Sequence, residues 1–192
     1  MTNVSADALH AGLDSIRQSP RDHGVVRLIV RRPDVGKREI LLEAELHASI
    51  GLVGDNWIHR GSSRTADGSS HPDMQINVMN SRVIELIAGT QARWALAGDQ
   101  LFIDLDLSVV NLPPGTRLAL GSAIIEATHQ PHTGCGKFVE RFGLAAMTFV
   151  NSPVGRALQL RGINARVVRG GIVRVGDPVT KVNQPTCRQH AG

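Results

Sequence analysis

Between His129 and Phe138 the chain reads HQPHTGCGKF, which sets the thiol of Cys135 between two glycines, with imidazoles at His129 and His132 before it and the ammonium of Lys137 just after. Pro131, Gly134 and Gly136 resist helix and strand alike, so the thiol is expected on an exposed bend that a ligand can approach closely. The thiolate is the form that attacks electrophiles or binds soft metals, and His132 and Lys137 are close enough in sequence to favour it. Three chemistries fit these residue types. His129, His132 and Cys135 could hold zinc, although a fourth ligand and a second cysteine pair are missing. Cys135 could be a nucleophile with His132 as its base. Or the thiolate could ligate the metal of a cofactor, or carry sulfur as a persulfide.

The third chemistry also gives a use to the charge distribution. Residues 151 to 192 carry Arg156, Arg161, Arg166, Arg169, Arg174, Lys181 and Arg188 against the single acid Asp177, whereas the rest of the chain is near balance. Arginine forks suit phosphate, so this end of the chain is expected to attract a phosphorylated cofactor or, alternatively, to act as a non-catalytic basic module for nucleic acid or another anion. The same segment contains no aromatic residue, which disfavours base stacking and hence nucleic acid.

The 192 residues are 42% hydrophobic, with four Phe, two Trp and no Tyr, so one domain with an aliphatic core is expected. No run is long and apolar enough for a membrane helix, and the N-terminal residues lack the basic start and apolar block of a secretion signal. Two cysteines, Cys135 and Cys187, are too few for a disulfide framework. The composition points to a soluble, cytoplasmic protein.

The elements that must position the cysteine loop are mostly strands. Residues 1–22 form a polar appendage with a weak apolar repeat at Leu9, Leu13 and Ile16; residues 23–182 form the domain, and 183–192 a flexible tail. Val25 to Arg32 and Glu39 to Ala48 read as a hairpin in which Leu42, Ala44 and Leu46 are buried. The irregular stretch Gly51 to Asp73 is long enough to be functional, and Asp55, His59, Arg60 and His71 are expected to line a pocket, with Trp57 as an anchor. Met74 to Asn80 alternates as a strand, and a short helix runs from a Ser81 cap to Gly89. In QLFIDLDL the leucines and Ile103 face inward, while Asp104 and Asp106 share a solvated face. AIIEATH delivers the cysteine loop from a strand end, and two helical stretches, KFVERFG and LAAMTFV, follow it. Ser152 and Pro153 start another helix. INARVVR and IVRV are then joined by Gly170 and Gly171 as a tight hairpin. About eight strands with a few short helices make a mostly β fold, and no GxGxxG or GxxxxGK[ST] supports a doubly wound alternative.

GLVGD at 51 to 55, GDQLFIDLDLS at 98 to 108, HTGCGKF at 132 to 138 and RGINARVVRGGIVRVGDPV at 161 to 179 resemble the blocks of MOSC domain proteins, a family named for the C-terminal domain of molybdenum cofactor sulfurase. The resemblance spans about Val25 to Val182, and the HTGC with a following KF is similar to a short bacterial subgroup. It implies a single-domain, barrel-like β fold that binds molybdenum cofactor, a phosphorylated pterin with a dithiolene-bound metal. Cys135 then becomes the expected molybdenum ligand or sulfur carrier, with His132 beside it as a catalytic residue. The same resemblance assigns cofactor contacts to Lys137, Thr133, Arg161, Arg166 and Asp55, and to Gln100 where the family commonly has asparagine. It implies sulfur transfer to the cofactor, which needs a cysteine desulfurase partner, or reduction of N-hydroxylated compounds, which needs an electron donor. Pyridoxal phosphate, which belongs to the desulfurase part of the full sulfurase, is not expected.

Overall fold

The computed structural model describes residues 3–182. In chain order these form helices α1 (Ala6–Ala11) and α2 (Leu13–Arg17), strands β1 (Gly24–Arg31), β2 (Glu39–Leu41), β3 (Glu43–His47), β4 (Gly51–Leu52) and β5 (Ile76–Asn80), and helix α3 (Ser81–Ala88). They continue with β6 (Leu101–Asp104), β7 (Arg117–Leu120), β8 (Ala123–Ala127), α4 (Gly136–Asn151), α5 (Pro153–Ala157), β9 (Ile163–Arg169), β10 (Gly171–Arg174) and β11 (Pro178–Val182). Seven strands close into a barrel in the order β11-β7-β8-β9-β5-β6-β1, and the pairing of β1 with β11 seals it. Neighbours are antiparallel except β5 and β6.

Strand alternation divides the apolar residues into two cores. Val26, Ile29, Ile76, Val78, Leu101 and Ile103 point into the barrel. Leu28, Val30, Met79 and Phe102 point outward from the same strands and pack beneath the helices with Phe138, Phe142 and Phe149. A register shift between Val26 and Leu28 in β1 keeps both sets buried.

The N-terminal residues belong to the second core, which corrects the reading of 1–22 as an appendage. Leu9 is fully buried, Leu13 and Ile16 nearly so, and His10 meets Phe149 edge-on at 5.6 Å. Burial of a leucine is worth about 1.5–3 kcal/mol, enough to hold two short amphipathic helices against the domain. Gly143 breaks α4 with a φ of 85°, between the two helical stretches expected from the sequence, and the Asn3 side chain packs where a Cβ there would stand.

Two strand pairings also differ from expectation. β2 does pair with β1 as a hairpin, but the chain bends at Leu42, which is 81% exposed, and β3 leaves for a separate sheet, β10-β3-β4. β10 pairs with β3 rather than with β9, so Gly170 and Gly171 mark a crossing between sheets and not a hairpin turn. Local turn chemistry could not reveal this, because the partner of β10 lies more than a hundred residues away. The expected strand through Asp106 ends at Asp104, whose carboxylate accepts from Arg82 at 2.8 Å instead of facing open solvent.

Candidate functional site

A cavity of about 360 Å³ lies where the β1–β2 connection, the turn after β4, the start of β5 and the loop between β8 and α4 meet. Two buried arginines build its floor. Arg32, at the end of β1, donates through Nε and Nη2 to the carboxylate of Asp55 at 2.9 and 2.8 Å, and through Nη1 to Asn77 Oδ1 and the Gly98 carbonyl. Asp55 also accepts the Trp57 amide, so it caps the turn Asn56–His59 and is fully occupied. Arg161, just before β9, donates to Asp99 Oδ2 at 2.7 Å and to the Ala97 carbonyl, with its guanidinium 5.0 Å from the centre of the Phe138 ring. Breaking either pair would leave a buried charge unmatched, at a cost of about 3–5 kcal/mol.

Four further cations line the cavity with no acid partner among the described residues: Arg38, Arg60, Lys137 and Arg141. Burial, then the like charges of Arg141, Arg32 and Arg60, lower the Arg38 guanidinium below its ordinary value. Burial and Arg32 do the same to Arg60. Asp34 at the rim is engaged by Lys37 at 3.6 Å. Arg38 Nε and Asn56 Oδ1, both in the lining residues, are buried without a hydrogen-bond partner. Like-charged guanidiniums held together, with a buried donor unmatched at Arg38 Nε, suit an anion, whereas Asn56 Oδ1 is an acceptor that suits an N–H or O–H.

Cys135 stands at the mouth of this cavity. It is exposed, has no disulfide partner among the described residues, and occupies the cap position of α4, where its carbonyl accepts the Phe138 and Val139 amides. Gly134 beside it leaves room for the Met147 side chain, whose Sδ would have to shift to admit a Cβ. His132 lines the cavity too, but burial and the charges of Arg161 and Arg32 push its pKa well below the ordinary 6.5. It is therefore neutral at pH 7 and supplies no positive charge to the thiol, contrary to the expectation from sequence.

The loop thus brings Cys135, His132, Thr133, Lys137 and Arg161 together. Three expected cofactor contacts lie elsewhere. Asp55 is spent on Arg32. Gln100 is wholly buried, accepting the Asn77 amide and donating to the Gln75 carbonyl, so it ties β5 to the segment entering β6. Arg166 projects from β9 to Glu126 at 2.6 Å and Asp73 at 3.6 Å, away from the cavity.

In the basic C-terminal end Arg174 pairs with Glu43 and Lys181 with Asn111, and among the described residues only Arg161 of this end lines the cavity. Arg60 does line it, and His71 and Trp57 line a smaller adjoining hollow with Arg32 and Arg60, whereas His59 is exposed. Among the described residues no three His, Cys, Asp or Glu side chains converge as a metal-binding group. Cys187 and Arg188 lie outside the described residues. Arg32, Arg38, Asp99 and Arg141 were not singled out by sequence. Arg32 ends a strand with a second arginine beside it, and Asp99 sits in the GDQ block, which are the only signals that pointed to them.

No protein-family model matches the chain, and no curated protein matches its sequence. Solved structures do share its fold. The YuaD protein from Bacillus subtilis superposes with a TM-score of 0.61 at 15% identity, covering 84% of this chain and 97% of that one. YiiM from Escherichia coli gives 0.53 at 20% identity, over 84% and 71% of the two chains, and YiiM from Geobacillus stearothermophilus gives 0.50 at 15% identity, over 86% and 75%. These likenesses give the chain a MOSC-like β-barrel fold, as its sequence blocks led us to expect.

Proposed function

We propose, with a MOSC-like barrel as the premise, that this protein binds molybdenum cofactor in the arginine-lined cavity, with Cys135 as the thiolate ligand of the metal. The observation that carries the reading is one exposed thiol at the mouth of a cavity that collects four cations with no acid partner among the described residues. The side chains fit the group: a single soft ligand at Cys135, guanidiniums for a phosphate, an unmatched donor at Arg38 Nε, and an unmatched acceptor at Asn56 Oδ1 for a pterin N–H. A volume of about 360 Å³ is within the range of small-molecule sites, about 300–1,000 Å³.

When bound, the cofactor supplies a metal centre that exchanges electrons or carries sulfur. This chain's own residues attract and orient it. Arg38, Arg60, Arg141 and Lys137 draw the anionic end inward, Arg161 and Phe138 form a fixed wall, and Cys135 holds the metal at the open side. Two activities suit an exposed centre: reduction of N-hydroxylated compounds, served by an electron-transfer partner, and sulfur transfer, served by a cysteine desulfurase. A nucleic-acid module is disfavoured because the cavity cations line a concavity, and Arg117, Arg166 and Arg174 on the strand faces are engaged by Glu126 and Glu43.

The deciding measurement is molybdenum and pterin content of wild type beside Cys135→Ala, both produced in a host that makes the cofactor. Molybdenum near one per chain in wild type, and lost in the variant, supports the reading. Folded wild type free of both metal and pterin sinks it, and DNA binding that survives Cys135→Ala would favour the basic module. Loaded protein then separates the two activities by turnover of an N-hydroxylated amidine with a chemical reductant.

A further inference from the structure

Three buried polar atoms at the cavity floor have no hydrogen-bond partner: Asp99 Oδ1, His132 Nδ1 and Arg161 Nε. Two of them face each other, with His132 Nδ1 3.5 Å from Asp99 Oδ1. The Asp99 side chain has no exposed surface, and its other oxygen is held by Arg161 Nη1 at 2.7 Å. Arg161 is itself fixed by the Ala97 carbonyl and the Phe138 ring, so the carboxylate cannot turn away from the imidazole. Gly162, with a φ of 104°, lets the ring come this close, because a Cβ there would stand 3.2 Å from His132 Nδ1 and 2.3 Å from the Val78 carbonyl oxygen.

We infer that Asp99 is a positioning residue that fixes His132 in the Nδ1–H tautomer, leaving an unprotonated Nε2 open to the cavity. A carboxylate held on Arg161 is an acceptor only, so the imidazole edge facing it must carry the proton. The His132 side chain keeps 12% exposure with Nδ1 buried, and the ring lines the cavity, so the exposed edge with Nε2 is reached from it. Burial leaves the pKa of Asp99 raised above the ordinary carboxylate value against the opposing pull of Arg161 and Arg32, and the permanently charged guanidinium at 2.7 Å keeps the group an ionised acceptor; the same two arginines help keep the imidazole neutral.

The consequence is specificity. Arg38, Arg60, Arg141 and Lys137 present donors to whatever enters, and His132 presents an acceptor. The site is built for a molecule with an anionic group at one place and an N–H or O–H at another, and His132 reads the second. The assignment involves protein atoms alone, so it does not depend on which cofactor or substrate is bound.

The test is the tautomer of His132, read by two-bond proton–nitrogen correlation in protein labelled with ¹⁵N-histidine, with His132→Gln identifying the resonance. The expected wild-type spectrum is that of a neutral Nδ1–H imidazole at pH 7. In Asp99→Asn, Arg161 claims the amide oxygen and the amide NH₂ turns toward Nδ1, so the tautomer switches to Nε2–H, as when a catalytic triad aspartate becomes asparagine. A wild-type Nε2–H tautomer, or one unchanged in folded Asp99→Asn, overturns the inference. Should Asp99→Asn fail to fold, the wild-type tautomer alone decides it. Cofactor content does not enter, so a failure here is distinct from a failure of the proposed function.

Discussion

His132 and Arg38 show how burial sets the behaviour of single residues. The native state declines a proton at His132 that the unfolded chain accepts near pH 6.5. Unfolded molecules therefore bind more protons as pH falls below that value, and stability must fall with it, by up to about 1.4 kcal/mol per pH unit from this group. Urea denaturation at pH 7.5 and 5.5 should show the loss, and His132→Gln should flatten it; an unchanged slope in the variant would assign the loss to other groups. For Arg38 the expectation concerns binding. Its Nε is buried and unmatched in a cluster of like charges, so Arg38→Gln should weaken pyrophosphate binding at least tenfold, since a hydrogen bond to a charged group contributes about 1.5–3 kcal/mol. Calorimetry at low salt would measure it, and equal affinity in the two proteins would refute a role in anion capture. Of these residues only His132 was visible in the sequence, because it lies three positions from the cysteine. Arg38 is one arginine in a hairpin connection, and its importance comes from Arg60 and Arg141 meeting it in space.

The helices α1 and α2 are too short to be stable alone, and their weak apolar repeat read as an appendage for that reason. What the sequence could not display is the receiving surface, Phe149, Ile84 and their neighbours, contributed by elements far along the chain. Leu9→Ala should cost about 2–5 kcal/mol in urea unfolding, the range for a buried leucine. Removing residues 1–22 should yield protein that exposes the aromatic side of α4 and binds a hydrophobic dye. Native stability in either variant would restore the appendage reading. By contrast, the helices after Cys135 were legible, since Gly143, Ser152 and Pro153 carry their breaks and caps locally. Strand existence was legible as well, from alternation. The partnership of β10 with β3 was not, because edge pairing depends on which chain arrives beside it.

Across the whole molecule, closure of the barrel rests on a narrow seam. Among the described residues β1 meets β11 through two register pairs, Gly24 with Val179 and Val25 with Pro178, before its edge passes to β2. Native-state hydrogen exchange should therefore find the Val26 and Gly176 amides, which bond across this seam, opening before the amides shared by β8 and β9. Exchange at the seam as slow as between β8 and β9 would show that the helices, and not the strand ladder, hold the barrel shut. The division of labour among the arginines has a consequence for how such a barrel changes over time. Arg32 and Arg161 act as mortar, each bonded to its own acid, whereas Arg38 and Arg60 on connections and Arg141 on α4 act as bait outside the strand ladder. Ligand preference can drift by exchanging the bait residues one at a time while the mortar stays set, so a lineage built on this frame can acquire new substrates without having to solve the folding problem again.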